Sequence, residues 1–392
     1  DETVVSGAAD MYWRTKGRPA ATLLHCGPGL ANALANLHNA RRGRSGIVNI
    51  VGDQATYHRP LDAPLTADTE GWARPVSGWV RTAMTAEAVG RDAADAVAAA
   101  RTGTIATLIL PADTAWTEGG VVGTPQPVPP RPSAETAAID AAADVLRSGE
   151  TALMLLGGRT LTDATLRIVT AIAQTTGAKM LAEMFNARME RGQGRPPIER
   201  IPYQIDAAVH SLEGIRHLIL VEAKPPVPDD CTVHTLADIG QDGAAALQAL
   251  AERVGAGTPD IAVTPRPAPA TEAIAPETVA TSLAALLPDD SIVVDEGISF
   301  GRGFSRFTHG AAPHLWLQVP GGAIGGGLPG AVGAAIGSGR RVLAIQADGS
   351  AMYSITALWT MARCNLDVTV VILALMAASF ERKGPFLIEL LT

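Results

Sequence analysis

Sulfur chemistry is nearly absent from this chain: Cys26, Cys231 and Cys364 are its 3 cysteines in 392 residues, and no two have C-x-x-C spacing. So few and so scattered, they exclude a disulfide framework and point to free thiols in a cytoplasmic protein. A basic stripe is lacking too. The formal net charge is −8 and lysines and arginines do not cluster, which argues against nucleic acid as the main partner and leaves room for a small anionic ligand. Long apolar runs are missing: the longest, near Val368 to Phe380, is too short to cross a bilayer, and no signal peptide is visible at Asp1, so no membrane partner is expected. No G-x-G-x-x-G follows a strand with an acid about twenty residues later, which speaks against a nicotinamide dehydrogenase.

What the chain does have is apolar residues (47%) and 40 glycines, a composition suited to compact α/β packing. Residues 1 to about 115 alternate helix and strand patterns. Helices are expected over Val4–Lys16, Gly29–Arg41 and Ala86–Arg101, and strands over Ala21–His25, Ile47–Val51 and Ile105–Leu110. A proline-rich linker follows at Thr124–Pro132. Strand signals at Ala152–Leu156, Lys179–Ala182, His217–Val221 and Thr232–Leu236 mark a second unit, and Thr258–Thr271 reads as a second linker. A third unit holds a helix (Pro276–Leu286), a strand (Ser291–Asp295), a glycine-rich loop and a further strand over Arg341–Gln346. The expectation is α/β architecture with three doubly wound parallel-sheet domains: 1–123, 134–257 and 272–392.

The most informative stretch is Ala344 to Met352. A buried strand ends in Asp348-Gly349-Ser350, and a helix is expected beyond it from the spacing of Ile355, Leu358, Trp359 and Ala362. An acid there can ligate a hard cation such as Mg²⁺, a glycine admits close approach of a ligand to the backbone, and helix-start N–H groups attract phosphate. The same tripeptide also makes ordinary turns. Upstream stands Pro320-Gly321-Gly322-Ala323-Ile324-Gly325-Gly326-Gly327-Leu328-Pro329. At the amino end come Glu2, Gly7-Ala8-Ala9-Asp10 and His25-Cys26-Gly27-Pro28-Gly29.

In this order these segments resemble the thiamine-diphosphate-dependent enzymes, and in particular acetolactate synthase large-subunit homologues. The runs Gly27-Pro28-Gly29-Leu30-Ala31-Asn32, Gly52 to His58 and Val76 to Val80 carry the likeness further, and it spans nearly the whole chain. The resemblance implies the thiamine-diphosphate-binding fold, with pyrimidine-binding, central and diphosphate-binding domains in that order. It implies the cofactors thiamine diphosphate and Mg²⁺, a small 2-oxo acid substrate, a transferase or lyase chemistry of the kind used in branched-chain amino acid biosynthesis, and a homodimer or homotetramer whose active sites lie at the subunit interface.

Residue by residue, it makes Glu2 the carboxylate on the pyrimidine N1′, Asp348 the metal ligand, and Gly349 and Ser350 contacts of the diphosphate. Ile324 becomes the apolar wedge under the bent coenzyme, with Gly322 and Gly325 approaching the pyrimidine; plain core packing is the rival role for Ile324. His25 matches a histidine that benzoylformate decarboxylase-like members place beside the substrate. Gln54, and more weakly His58, would line the same site.

The chain departs from the family in length. Segments are expected before Asp1, after Val227 and after Leu373, by omission from this sequence rather than by true deletion. The asparagine that completes the family's metal site is replaced in its place by Ala374-Leu375-Met376, and Gly384 to Glu389 resembles the family's final strand. FAD stays open: some acetolactate synthases bind it in the central domain, yet no clear flavin-contacting motif occurs between 150 and 256. The function expected is decarboxylation and carboligation of pyruvate. The alternatives are simple 2-oxo acid decarboxylation, favoured by His25, and a non-catalytic homologue, favoured by the absent asparagine.

Overall fold

The computed structural model describes residues 1–225 and 231–373. They form two compact units, the first built from residues within 1–129, 292–302 and 317–373, the second from residues within 130–291 and 303–316. The expected final strand at 384–389 and the stretch 374–376 lie outside the described residues.

In the first unit, α1 (Glu2–Lys16) starts where the Asp1 carboxylate accepts the Thr3 N–H at 2.9 Å, and it stops at Gly17 in the left-handed region (φ 68°). Strand β1 (Ala20–Leu24) leads through His25 into α2 (Cys26–Arg42). Then follow β2 (Ile47–Asp53), the short α3 (Thr69–Ala73), β3 (Trp79–Thr82), α4 (Ala86–Arg101), β4 (Ile105–Pro111) and α5 (Ala112–Trp116). The strands pair in parallel in the order β1-β2-β4-β3. Parallel strands need both faces covered, which explains the apolar runs of β2 and β4 and the buried layer of Leu24, Leu30, Leu37, Ile47, Val51, Ile105 and Ile109. Polar residues buried in these strands are satisfied by one another: Asn49 Oδ1 accepts the Thr22 hydroxyl at 2.8 Å and Asn49 Nδ2 donates to Thr107 Oγ1 at 3.2 Å.

The second unit runs α6 (Thr136–Arg147), β5 (Ala152–Leu156), α7 (Asp163–Thr176), β6 (Lys179–Ala182), β7 (Arg188–Arg191), α8 (Ile205–Leu212), β8 (His217–Val221), β9 (Thr232–Ala237), α9 (Gly243–Val254) and α10 (Pro276–Leu286). Its parallel sheet has the order β6-β5-β8-β9, with α6, α7 and α9 closing a core of Met154, Leu156, Leu166, Val169, Ile219, Val221 and Leu247.

The chain then supplies β10 (Ser291–Glu296), α11 (Ile298–Gly301), β11 (His314–Gln318), α12 (Gly327–Ser338), β12 (Val342–Ala347), α13 (Asp348–Met352), α14 (Ala357–Arg363) and β13 (Val368–Leu373). Strands β10, β12 and β13 are parallel neighbours, with Glu296 directly opposite Gln346. Helix α12 is built of small residues and lies against α1. A Cβ added at Gly7 would stand 2.6 Å from that of Pro329, and one at Gly333 would collide with the Ala8 carbonyl oxygen, so the helices meet backbone to backbone.

One local expectation fails. The helix beyond Asp348 is not continuous: α13 ends in i→i+3 bonds (Tyr353 N–H to Ser350 O, Ser354 N–H to Ala351 O) before α14 begins. The buried positions of α14 are Ala357 and Met361, while Trp359 is 63% exposed. Among the described residues no helix is long and apolar enough to cross a membrane.

Candidate functional site

Parallel strands leave the carboxyl ends of a sheet as the natural place for a ligand. At the ends of β10 and β12 the chain gathers Glu296, Asp348, Gly349 and Ser350. The Asp348 carboxylate and Gly349 are exposed, and a Cβ added at Gly349 would meet open space. Ser350 is buried; its hydroxyl donates to Ala347 O at 3.0 Å and lies 3.4 Å from Glu296 O, which ties the Asp348 turn to the neighbouring strand.

Over these strand ends runs the glycine loop. Gly325 adopts φ 95°, a conformation that only glycine takes without strain, and this turns three successive N–H groups toward Glu296. The Glu296 carboxylate accepts Gly325 N–H at 2.9 Å and Gly326 N–H at 3.3 Å on Oε1, and Gly327 N–H at 2.9 Å on Oε2. Burial pushes the Glu296 carboxyl up to about 7 although these three N–H groups hold it down; the nearby Asp295 charge raises it further. Ile324, the residue before this trio, is 37% exposed, so its side chain is presented outward rather than sunk in the core.

The far side of the loop is fastened to α2. Asn39 Nδ2 donates to Ala323 O at 2.7 Å, Asn39 Oδ1 accepts Ala323 N–H at 3.1 Å, and His38 Nε2 lies 3.1 Å from Gly321 O. Glu2 is placed toward the other end of α2. Half buried, it lies with Oε2 3.4 Å from Asn32 Nδ2, and its Oε1 would be 3.4 Å from a Cβ added at Gly29. His25 is exposed immediately before the first turn of α2. Next to it Cys26 is buried with φ 56°, and its thiol is pushed up by burial and by Asp53. Gln54, after β2, is half buried and donates Nε2 to Pro64 O at 2.7 Å; His58 is exposed and makes an edge contact with Tyr57.

The expected residues thus fall into two groups. Gly322, Ile324, Gly325, Asp348, Gly349 and Ser350 surround one pair of strand ends. Glu2, His25 and Gln54 sit about the ends of β1 and β2 and the start of α2. Among the described residues no hydrogen bond or ion pair links the groups. Nor, among the described residues, do any three His, Cys, Asp or Glu side chains form a cluster fit for a metal. Gly349 open to solvent, the free-standing Asp348 carboxylate and the loop's backbone nevertheless suit a diphosphate and a hard cation. Sequence reasoning missed Glu296, Gln346 and Asn39. A glycine triplet thirty residues from an isolated glutamate offers no local signal that the two will meet.

Comparison with known proteins agrees with this geometry. Residues 1–72 match the family model "Thiamine pyrophosphate enzyme, N-terminal TPP binding domain" and residues 302–374 the model "Thiamine pyrophosphate enzyme, C-terminal TPP binding domain". The chain is 48% identical over 388 residues to the "Putative acetolactate synthase large subunit IlvX" of Mycobacterium tuberculosis, covering 95% of this chain and 75% of that protein. It is 28% identical to benzoylformate decarboxylase of Pseudomonas aeruginosa, over 95% of this chain and 77% of the relative. In fold it is similar to the crystal structure of benzoylformate decarboxylase from Polynucleobacter necessarius, with a TM-score of 0.79 at 18% identity, covering 100% of this chain and 82% of that one. The mixed α/β architecture with parallel sheets is that of thiamine-dependent enzymes, and the chain belongs to the thiamine pyrophosphate enzyme family, among its acetolactate synthase large-subunit-like members.

Proposed function

We propose that the chain is a thiamine-diphosphate- and Mg²⁺-dependent enzyme acting on a 2-oxo acid, with acetolactate synthase-like decarboxylation and carboligation of pyruvate. The observation that carries this reading is the 48% identity over 95% of the chain to an acetolactate synthase-like protein. In this reading residues 1–123 bind the pyrimidine, 272–392 the diphosphate, and 134–257 form the central domain. When bound, the coenzyme supplies a carbon nucleophile that can cleave the bond between a 2-oxo carbon and its carboxylate.

The chain's own residues have separable tasks. Asp348 would ligate the cation, and Gly349 and Ser350 would contact the diphosphate. Ile324, with Gly322 and Gly325, would shape the surface under the pyrimidine. Glu2, half buried against α2, would share a proton with the ring nitrogen. Gln54 would line the substrate side.

The separation of the two groups supports an oligomer. Glu2 contacts α2 near Gly29 and Asn32, whereas the glycine loop is fastened at Asn39. Seven residues of helix between Asn32 and Asn39 are about 10 Å of rise. A homodimer or homotetramer, in which each loop meets the Glu2 of another copy, brings both groups to one coenzyme. The simple decarboxylase is the second reading. It is favoured by the exposed imidazole of His25 at the head of α2, which can hold a carboxylate or deliver a proton, and by the 28% identity to a benzoylformate decarboxylase.

Glu2→Gln is expected to lower turnover of pyruvate by about a hundredfold or more, while thiamine diphosphate affinity by calorimetry stays within a few fold. Full turnover in that variant removes the assignment. Acetoin-type colour after acid treatment of the pyruvate reaction supports carboligation, and free aldehyde supports the decarboxylase. No uptake of thiamine diphosphate with Mg²⁺ by the wild-type chain marks a non-catalytic homologue.

A further inference from the structure

Glu296 has no role in the reading above, yet three consecutive backbone N–H groups of the glycine loop end on its carboxylate. It is 3% exposed, and no cation pairs with it among the ion pairs of the described residues. The elements around it are nearly devoid of charge. The glycine loop, α12, β12, β13 and α11 carry no ionisable group; Asp295 on its own strand and Asp348 at the head of α13 are the acids of the surrounding strand ends.

Opposite it in the sheet stands Gln346, fully buried, with neither amide atom hydrogen-bonded. The two side chains converge on one point: a Cβ added at Gly327 would come within 2.8 Å of both Glu296 Oε2 and Gln346 Oε1 and would collide with Gln346 Nε2. The space under the loop is filled by these two groups, so Gly327 has no room for a side chain. Through the Ser350 contact to Glu296 O, the same residue touches the Asp348 turn. One glutamate therefore joins the two segments that the functional reading assigns to opposite ends of the coenzyme.

The geometry points to Glu296 as a positioning residue: its carboxylate fixes the Gly325–Gly327 backbone, and so sets where Ile324 stands. This rests on the reading of that loop as coenzyme-facing. Glu296 does not touch the reacting atoms; it acts through the loop.

The test compares wild type with Glu296→Gln and Glu296→Ala, full chain throughout. Amide hydrogen exchange at 325–327 is read in the coenzyme-free protein, and thiamine diphosphate affinity with Mg²⁺ by calorimetry. Glu296→Ala removes every acceptor and is expected to speed exchange at 325–327 by about tenfold or more and to weaken coenzyme binding by a similar factor. Glu296→Gln keeps one acceptor oxygen in the same shape and should fall between, a graded rescue that loss of packing alone would not give. Exchange in β2 and β5, unchanged, certifies that the variants are folded. If Glu296 is replaced by Ala and exchange at 325–327 stays at the wild-type rate, the clamp is overturned. A loosened loop with wild-type coenzyme affinity overturns its role toward the coenzyme. Failure of the wild type itself to bind thiamine diphosphate sinks the functional reading and this role with it, and is recognised before any variant is compared.

Discussion

Two buried glutamates, one in each compact unit, solve the same structural problem differently. Glu222 follows β8 in the second unit, and Glu296 ends β10 in the first; each is 3% exposed and each gathers backbone N–H groups at the carboxyl end of a parallel strand. Glu222 accepts Arg159 N–H at 3.1 Å and Gly243 N–H at 3.2 Å, and Arg131 Nη1 lies 3.4 Å from it. It holds φ 51°, unusual for a residue with a side chain, beneath the Gly157-Gly158 turn. Burial and the adjacent Arg131 charge in turn hold the Arg159 guanidinium below its usual range. Glu296 has three N–H donors and, among the described residues, no cation paired with it. A guanidinium neutralises the first carboxylate whatever else binds; the second depends on main-chain dipoles alone, and its carboxyl rises to about 7. A buried acid with a fixed counter-charge is architecture. One without it is responsive.

The sharpest way to break this contrast is to delete Glu222. Glu222→Ala leaves Arg131 without its anion and strands the buried Gly243 N–H and the part-buried Arg159 N–H, and is expected to cost about 4 kcal/mol, read as a lowered urea midpoint. Glu222→Gln should recover only part of that, because the cation stays unpaired. If both variants match wild type, the ion pair is ornamental and the comparison fails.

A pH series tests the other side. Glu296 is raised from 4.5 to about 7 on folding, so the folded chain holds a proton there that the unfolded chain has released. Its contribution to stability is complete below about pH 4.5 and is lost as pH rises through 7, a change of about 3 kcal/mol. In Glu296→Gln that component should be absent. Near pH 8 the variant should equal or exceed wild type in urea unfolding, the opposite of what Glu222→Gln does. A wild-type pH profile parallel to that of Glu296→Gln would erase the distinction. The smallest expected effect is at Gln346. Replacing its unpaired amide by methionine, similar in length, should raise the melting temperature of the coenzyme-free chain, equivalent to about 1 kcal/mol. No gain would mean that the amide is satisfied in solution.

Much of the frame could be read directly from residue order. Strand β5 stops at Gly157, α4 starts at the Thr85 cap and α10 starts at Pro276, while β8 is an apolar run between Arg216 and Glu222. Strands β7 and β11 could not. Arg188-Met189-Glu190-Arg191 carries no strand composition and is held by tertiary hydrogen bonds, Arg191 donating to Ile198 O and Ser305 O. The break between α13 and α14 escaped for a related reason: Leu358 and Trp359 keep helical spacing, but Trp359 rests under the Arg363 guanidinium, 5.1 Å from its ring, instead of in the core. In the site, Asp348-Gly349-Ser350 and the glycine loop announce themselves by motif. Glu296 and Asn39 do not, because their roles consist wholly of contacts with Gly325–Gly327 and Ala323, far along the chain.

The close seam between α1 and α12 has a consequence for how the protein is made. Residues 1–129 share a compact unit with residues 317–373, and Ala8 meets Gly333 across it. During synthesis at about 10 residues per second, the apolar flank of α1 waits roughly half a minute for its mate to leave the ribosome. Between them in sequence lies most of the second unit, whose core cluster draws on residues 142–251. Helix α1 is thus buried only after α12 has been made, and nascent chains halted before residue 327 should expose it to chaperones and proteases.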